Sequence, residues 1–244
     1  QAFDYDVADL VIVVPIGNAG NITAVMGGFL KLYDLEIITK LPVIVGVQSQ
    51  HANPVYRYYL EPKPEKRRFE PVAVRPSTAQ AAMIGNPVSM PRVRLLVEKY
   101  RQIAGEQAVQ VVEVSEQEIM DAMLTANRNG HIACTQGGEC LAGIRRVAAR
   151  KSVEAGKRAI LDATAHALKF SMFQDKYFNY SFEPEFEVAP KDELRNAPLL
   201  VSTPAGTPCP QPGVSLDADA MKTFVECAAA SVAEMLDLKR RSAA

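Results

Sequence analysis

The sequence predicts an α/β protein with a mainly parallel sheet flanked by helices. Three observations carry this reading. Leu10-Val11-Ile12-Val13-Val14-Pro15 is a continuous, largely β-branched run, the pattern of a strand buried on both faces of a parallel sheet. Shorter apolar runs recur at residues 42–47, 109–114, 131–134 and 159–162. Helical patterns lie between them, and alternation of strand with helix defines the class.

Taken in order, the first strand gives way through Gly17-Asn18-Ala19-Gly20-Asn21 to an apolar helical run carrying Val25, Met26, Phe29 and Leu30. A helix is expected to begin near Pro91, since proline is well placed in a first turn. Ser115-x-x-Glu118 forms a capping box ahead of Ile119, Met120, Met123 and Leu124, and that helix ends near Asn129-Gly130. Arg145-Arg146 falls on a further amphipathic helix. Two segments break the rhythm. Residues 61–68 are charged and proline-punctuated, and residues 203–213 hold four prolines and two glycines, so both read as surface excursions or connections. Beyond them Leu216, Met221, Phe224, Val225, Val232, Met235 and Leu236 recur on a helical period, which reads as a packed terminal helix. The expected organisation is an α/β region over 1–202, a proline-rich connection over 203–215 and a terminal helix over 216–244.

A chain of 244 residues, 48% of them hydrophobic, is long enough to bury a substantial core. Its 27 basic and 28 acidic side chains give a formal charge of -1, so no long-range field draws it to nucleic acid or an anionic membrane. Four cysteines without a C-x-x-C pair and three scattered histidines read as reduced cytoplasmic thiols and no metal site. The longest apolar run, residues 10–16, is far short of the roughly 20 residues that span a bilayer. The opening Gln1-Ala2-Phe3-Asp4 is not a signal sequence and lacks an initiating Met, the expectation being a chain that starts in mid-protein.

The strand-to-helix loop at residues 17–21 carries the chemistry. A helix start leaves backbone N–H groups unpaired at the positive end of the helix dipole, and glycines let the chain approach an anion closely. A phosphate suits that geometry. No Gly-Lys-Ser/Thr follows, unlike a nucleoside-triphosphate P-loop, and no Gly-x-Gly-x-x-Gly is present, unlike a dinucleotide fold. Glycine and asparagine are also ordinary turn residues, so the loop alone leaves both readings open.

The stretch from Val13 to Ile22, with its Val-Pro-Ile-Gly-Asn-Ala-Gly-Asn core, resembles the phosphate loop of the threonine synthase family. The resemblance continues in order through Asn53-Pro54-Val55-Tyr56-Arg57, Ile84-Gly85-Asn86-Pro87-Val88-Ser89 and Ala163-Thr164-Ala165-His166-Ala167-Leu168-Lys169-Phe170. It implies a tryptophan-synthase-β-like type II fold and the cofactor pyridoxal 5'-phosphate. The implied enzyme is a carbon-oxygen lyase of threonine biosynthesis in the cytoplasm, converting O-phospho-L-homoserine and water to L-threonine and phosphate. Gly17, Asn18, Ala19, Gly20 and Asn21 would hold the cofactor phosphate, and Thr164 would offer its hydroxyl to the pyridine nitrogen. Its partner would be a small phosphorylated amino acid. Without the resemblance, a threonine hydroxyl bonding its own backbone is the commoner use.

Other residues of the matching segments have plainer readings. His166 and Lys169 are candidates for gripping an anionic substrate, against structural and solvated alternatives. Asn86 and Ser89 read as a turn, and Arg67-Arg68 and Arg145-Arg146 as solvated faces rather than phosphate grips. Cys134 and Cys140 read as packing. Residues 133–143 depart from the family pattern, which shows a proline, small hydroxylated residues and alanines there, and this bears on substrate identity.

The family's Schiff-base lysine stands upstream of the phosphate loop, and neither Lys169 nor Lys191 has that placement. No catalytic residue is therefore assigned, and the N-terminal, lysine-bearing part is expected outside this chain as part of a longer protein or as a second polypeptide. The alternatives are a related replacement enzyme of the cysteate synthase type and a non-catalytic ligand-binding homologue.

Overall fold

The computed structural model describes residues 3–196 and 200–238. The chain forms two compact units, Gln1–Arg195 and Asn196–Ala244. In the first, four strands make one parallel sheet: β1 (Leu10–Pro15), β2 (Val43–Ser49), β3 (Val109–Val114) and β4 (Arg158–Leu161), in the order β3-β2-β1-β4. The helices are α1 (Gly20–Asp34), α2 (Pro54–Leu60), α3 (Met90–Ala104), α4 (Glu116–Arg128), α5 (Thr135–Ala149) and α6 (Ser171–Phe178).

Strand alternation explains the layers. Successive side chains point to opposite faces. Leu10, Ile12 and Val14 enter a core with Ile22, Met26 and Leu30 of α1 and Val93, Val97 and Tyr100 of α3. Val11 and Val13 enter a second core with Ile119 of α4 and Cys140, Ala142 and Val147 of α5. Because both faces are covered, β1 is buried throughout, as its uninterrupted apolar sequence requires. A third cluster joins Met120, Met123 and Leu124 of α4 to Phe173 and Tyr177 of α6.

Close approach of α5 sets two glycines. A Cβ at Gly143 would lie 2.3 Å from Val47 Cγ2 of β2, and one at Gly138 would lie 2.5 Å from the Ile119 carbonyl oxygen of α4. The capping box at Ser115 and Glu118 forms with both of its hydrogen bonds. One expected strand does not form. Residues 131–134 connect α4 to α5 and make a single antiparallel bridge, Ala133 to His166; Ala133 N–H is taken by the Asn127 side chain at 2.8 Å, so no ladder extends there.

Chain direction fixes where a site can sit. From β1 the chain steps outward through β2 to β3, then returns to place β4 on the other side of β1. The carboxyl ends of β1 and β4 therefore diverge at a topological switch point, where open α/β sheets bind ligands.

The second unit holds α7 (Ala218–Met235), capped by the Asp217 side chain on Ala220 N–H at 2.8 Å. The helix expected there is present, but no residue of α7 is buried in the structure. Among the described residues no helix is long and apolar enough to cross a membrane.

Candidate functional site at the switch point

Pro15, which ends β1, then Gly17, Asn18, Ala19, Gly20 and Asn21, and Thr164, following β4, line one cleft of about 270 Å³; Ala81, Ala82 and Gln136 complete it. All six residues expected at a cofactor site are thus brought together across nearly 150 positions of sequence. No charged side chain, and no lysine, is among the lining residues.

The loop stays tied to the sheet as it leaves it: Ile16 N–H donates to the Val47 carbonyl at 2.8 Å, and Gln48 Nε2 donates to the Ile16 carbonyl at 3.2 Å. Gly17 packs against backbone. A Cβ there would stand 3.0 Å from Ala82 Cα and 3.3 Å from the Ala81 carbonyl oxygen, so a side chain would press this wall outward. Ala19 is left-handed, with φ 63°, and is the N-cap of α1. It supplies no side-chain cap and no acidic residue occupies the first turn, which leaves the backbone N–H groups at the positive helix end without a partner from the helix itself. Ser89 N–H donates to the Asn18 carbonyl at 3.3 Å, so the 84–89 segment buttresses the loop rather than entering the site.

Thr164 is also left-handed, with φ 45°. Two such non-glycine residues at one cleft are a concentration of backbone strain of the kind found at binding sites. A single carboxylate holds this geometry. Asp162 accepts from Asn21 Nδ2 through Oδ2 and from Thr164 N–H through Oδ1, each at 3.2 Å. Sequence reasoning missed this residue. The signal was its place at the end of the β4 run, where only knowledge of the strand order shows that it faces the β1 loop.

The third wall also arrives from afar. Residues 80–82 form a short 3-10 helix, anchored by the preceding Ser77 and Thr78 on fully buried Glu116. That carboxylate accepts from Ser77 Oγ at 2.9 Å, Thr78 N–H at 2.6 Å, Thr78 Oγ1 at 2.7 Å and Ser49 Oγ.

The remaining candidates lie outside the cleft. His166 caps a 3-10 turn, its Nδ1 accepting from Leu168 N–H at 3.1 Å, and Lys169 is exposed. Arg146 pairs with Glu118 at 2.5 Å. Arg67 stacks 5.2 Å from the Tyr59 ring. Cys134 donates to the Ala163 carbonyl at 2.9 Å and lies 3.5 Å from Thr164 Oγ1; Cys140 is buried, and burial foremost, then Glu139, pushes its thiol pKa up.

Residues 2–162 match the family described as pyridoxal-phosphate dependent enzyme. The chain is 32% identical over 207 residues to threonine synthase 2, chloroplastic, of Arabidopsis thaliana, covering 85% of this chain and 37% of that protein. It is 29% identical over 167 residues to threonine synthase of Methanocaldococcus jannaschii, covering 68% and 38%. Among solved structures, threonine synthase from Escherichia coli superposes with a TM-score of 0.53 at 21% identity, over 69% of this chain and 35% of the other, a likeness of fold. The chain therefore spans less than two-fifths of the length of these relatives.

Proposed function

The chain belongs to the pyridoxal-phosphate dependent enzyme family, and from that premise we propose that it carries the cofactor-phosphate half of a threonine synthase-like site. The reaction would be conversion of O-phospho-L-homoserine and water to L-threonine and phosphate in the cytoplasm, with the small phosphorylated amino acid as partner. The observation that carries this reading is the switch-point cleft itself: a strained, glycine-bearing helix start and Thr164 face one uncharged space.

The residues suit the group. A phosphate at the α1 start would meet backbone N–H groups and the positive helix end, with Gly17 and Gly20 imposing no side chain. Thr164 would offer a neutral hydroxyl to the pyridine nitrogen, a contact that does not enforce ring protonation. Asp162 keeps both ends in register through Asn21 and the Thr164 backbone. When bound, pyridoxal phosphate supplies an electron sink for negative charge developing on substrate carbon. No lysine lines the cleft, so the covalent anchor and proton carrier would come from outside these residues.

The test is phosphate release by the intact enzyme with O-phosphohomoserine and, separately, with phosphoserine plus sulfite. Threonine and phosphate in equal amounts from the first, and at least a hundredfold preference for it, is the expected outcome. A preference for phosphoserine, or no turnover of either, would reject the assignment.

A further inference from the structure

The first five residues of α5 concentrate a specific deficiency. Among the described residues, Thr135 Oγ1, both amide atoms of Gln136 and both carboxyl oxygens of Glu139 are buried without a hydrogen-bond partner. Buried polar groups are ordinarily paired, because leaving water without a replacement bond costs free energy. Of these three residues only Gln136 lines the cleft, and it is 3% exposed.

We propose that Gln136 is a ligand-contacting residue whose amide hydrogen-bonds the polar edge of the cofactor ring. This rests on the pyridoxal-phosphate reading of the cleft. The phosphate loop forms one wall; α5 forms another and packs directly on the segment bearing Thr164, with Cys134 Sγ bonded to the Ala163 carbonyl at 2.9 Å and Gly137 placed so that a Cβ would lie 3.5 Å from Ala163 Cα. Gln136 therefore stands at the Thr164 side of the cleft. An amide both donates and accepts, so it suits the 3-hydroxyl oxygen of the ring whose nitrogen Thr164 would take, whether or not that oxygen carries its proton, and it keeps the cleft free of charged side chains. The unpaired amide is a cost to the empty fold that binding removes.

That pairing of cost and use makes opposite predictions for two measurements. Gln136→Met keeps the volume nearly constant and removes the polar atoms. The ligand-free full chain should melt higher than wild type, while its affinity for pyridoxal phosphate, followed by fluorescence titration, should fall about tenfold, the scale of one lost hydrogen bond to a buried group. Affinity for inorganic phosphate should be unchanged. Gly17→Val, which closes the phosphate end, should weaken both ligands. Equal pyridoxal-phosphate affinity in Gln136→Met and wild type would overturn the inference while leaving the cleft assignment intact. A lower melting temperature together with weaker binding of both ligands would reduce Gln136 to a structural residue and also overturn it. Wild-type protein that binds inorganic phosphate but not pyridoxal phosphate would remove the reading beneath it.

Discussion

Glu116 and Glu139 are both fully buried, and hydrogen bonding separates their roles. Glu116 accepts from Ser49, Ser77 and Thr78, which satisfies both carboxyl oxygens in a dry setting. Glu139 has no such set of donors. Burial foremost, and then the neighbouring Glu116, raises its pKa well above the usual carboxylate range, and the Ser49 backbone offsets this only in part. Glu139 thus holds its proton more tightly in the fold than in the unfolded chain. With the folded value above the unfolded one, its contribution to stability is full below the unfolded pKa of about 4.3 and declines as pH rises toward the folded pKa. Glu139→Gln does not titrate. It should melt a few degrees above wild type at pH 7, a difference on the order of 1–3 kcal/mol at about 1.4 kcal/mol per unit of pKa elevation, and the two melting curves should converge near pH 4. Calorimetry across that range checks this; a constant gap, or a less stable variant at pH 7, contradicts a protonated Glu139. Neither role was legible in sequence, because acidic residues in a helix are ordinarily solvated. The donors that define Glu116 come from β2, 67 positions away, and from a loop 38 and 39 positions away. By contrast, the residues proposed for the phosphate could be named in advance, since a helix start with glycines is a local arrangement.

At the scale of elements, the strands at 10–15 and 109–114 and the capped helix α4 follow directly from local pattern, whereas 131–134 shows where pattern stops. A four-residue apolar run lacks the length to choose between strand and connector, and the helices on either side decide. Of the segment 133–143, unusual for its resemblance, residues 135–143 become the glycine-rich first half of α5, pressed onto α4 and the sheet. Its glycines should therefore respond opposite to ordinary helical ones. Gly28 of α1 has open space where a Cβ would go, so Gly28→Ala should stabilise by about 0.5–1 kcal/mol through backbone entropy. At Gly138 the added methyl would meet the Ile119 carbonyl oxygen at 2.5 Å and Met123 Cβ at 2.7 Å. Forced separation of two packed helices costs about 1–3 kcal/mol and outweighs the propensity gain. Urea unfolding of the two variants should give opposite signs of change; stabilisation by Gly138→Ala would show that α5 moves away from α4 without penalty.

On the scale of the whole molecule, the class and the order of the matching segments were readable, but not the strand order that unites them. Residues 17–21 and Thr164 meet because β4 lies beside β1, and no periodicity in the sequence states that adjacency. The same arrangement yields a prediction about what this chain does when isolated. Its cleft combines a helix start and neutral hydrogen-bonding groups but has no lysine among its lining residues; Lys169 is exposed on a 3-10 turn, and Lys191 is paired with Asp121. A Schiff-base amine held in the site gains a large effective concentration over a free one, and a positioned base is needed for proton transfer. Borohydride treatment of this chain with pyridoxal phosphate should consequently leave no stoichiometrically modified lysine, and the chain should release no phosphate from O-phosphohomoserine even where it binds the cofactor reversibly. Adding the lysine-bearing polypeptide of the intact enzyme should restore turnover, with the pyridoxyl group mapped by mass spectrometry to that polypeptide alone. One fully modified lysine within these 244 residues, whose replacement abolished turnover by this chain, would place the anchor here and overturn the division of the site.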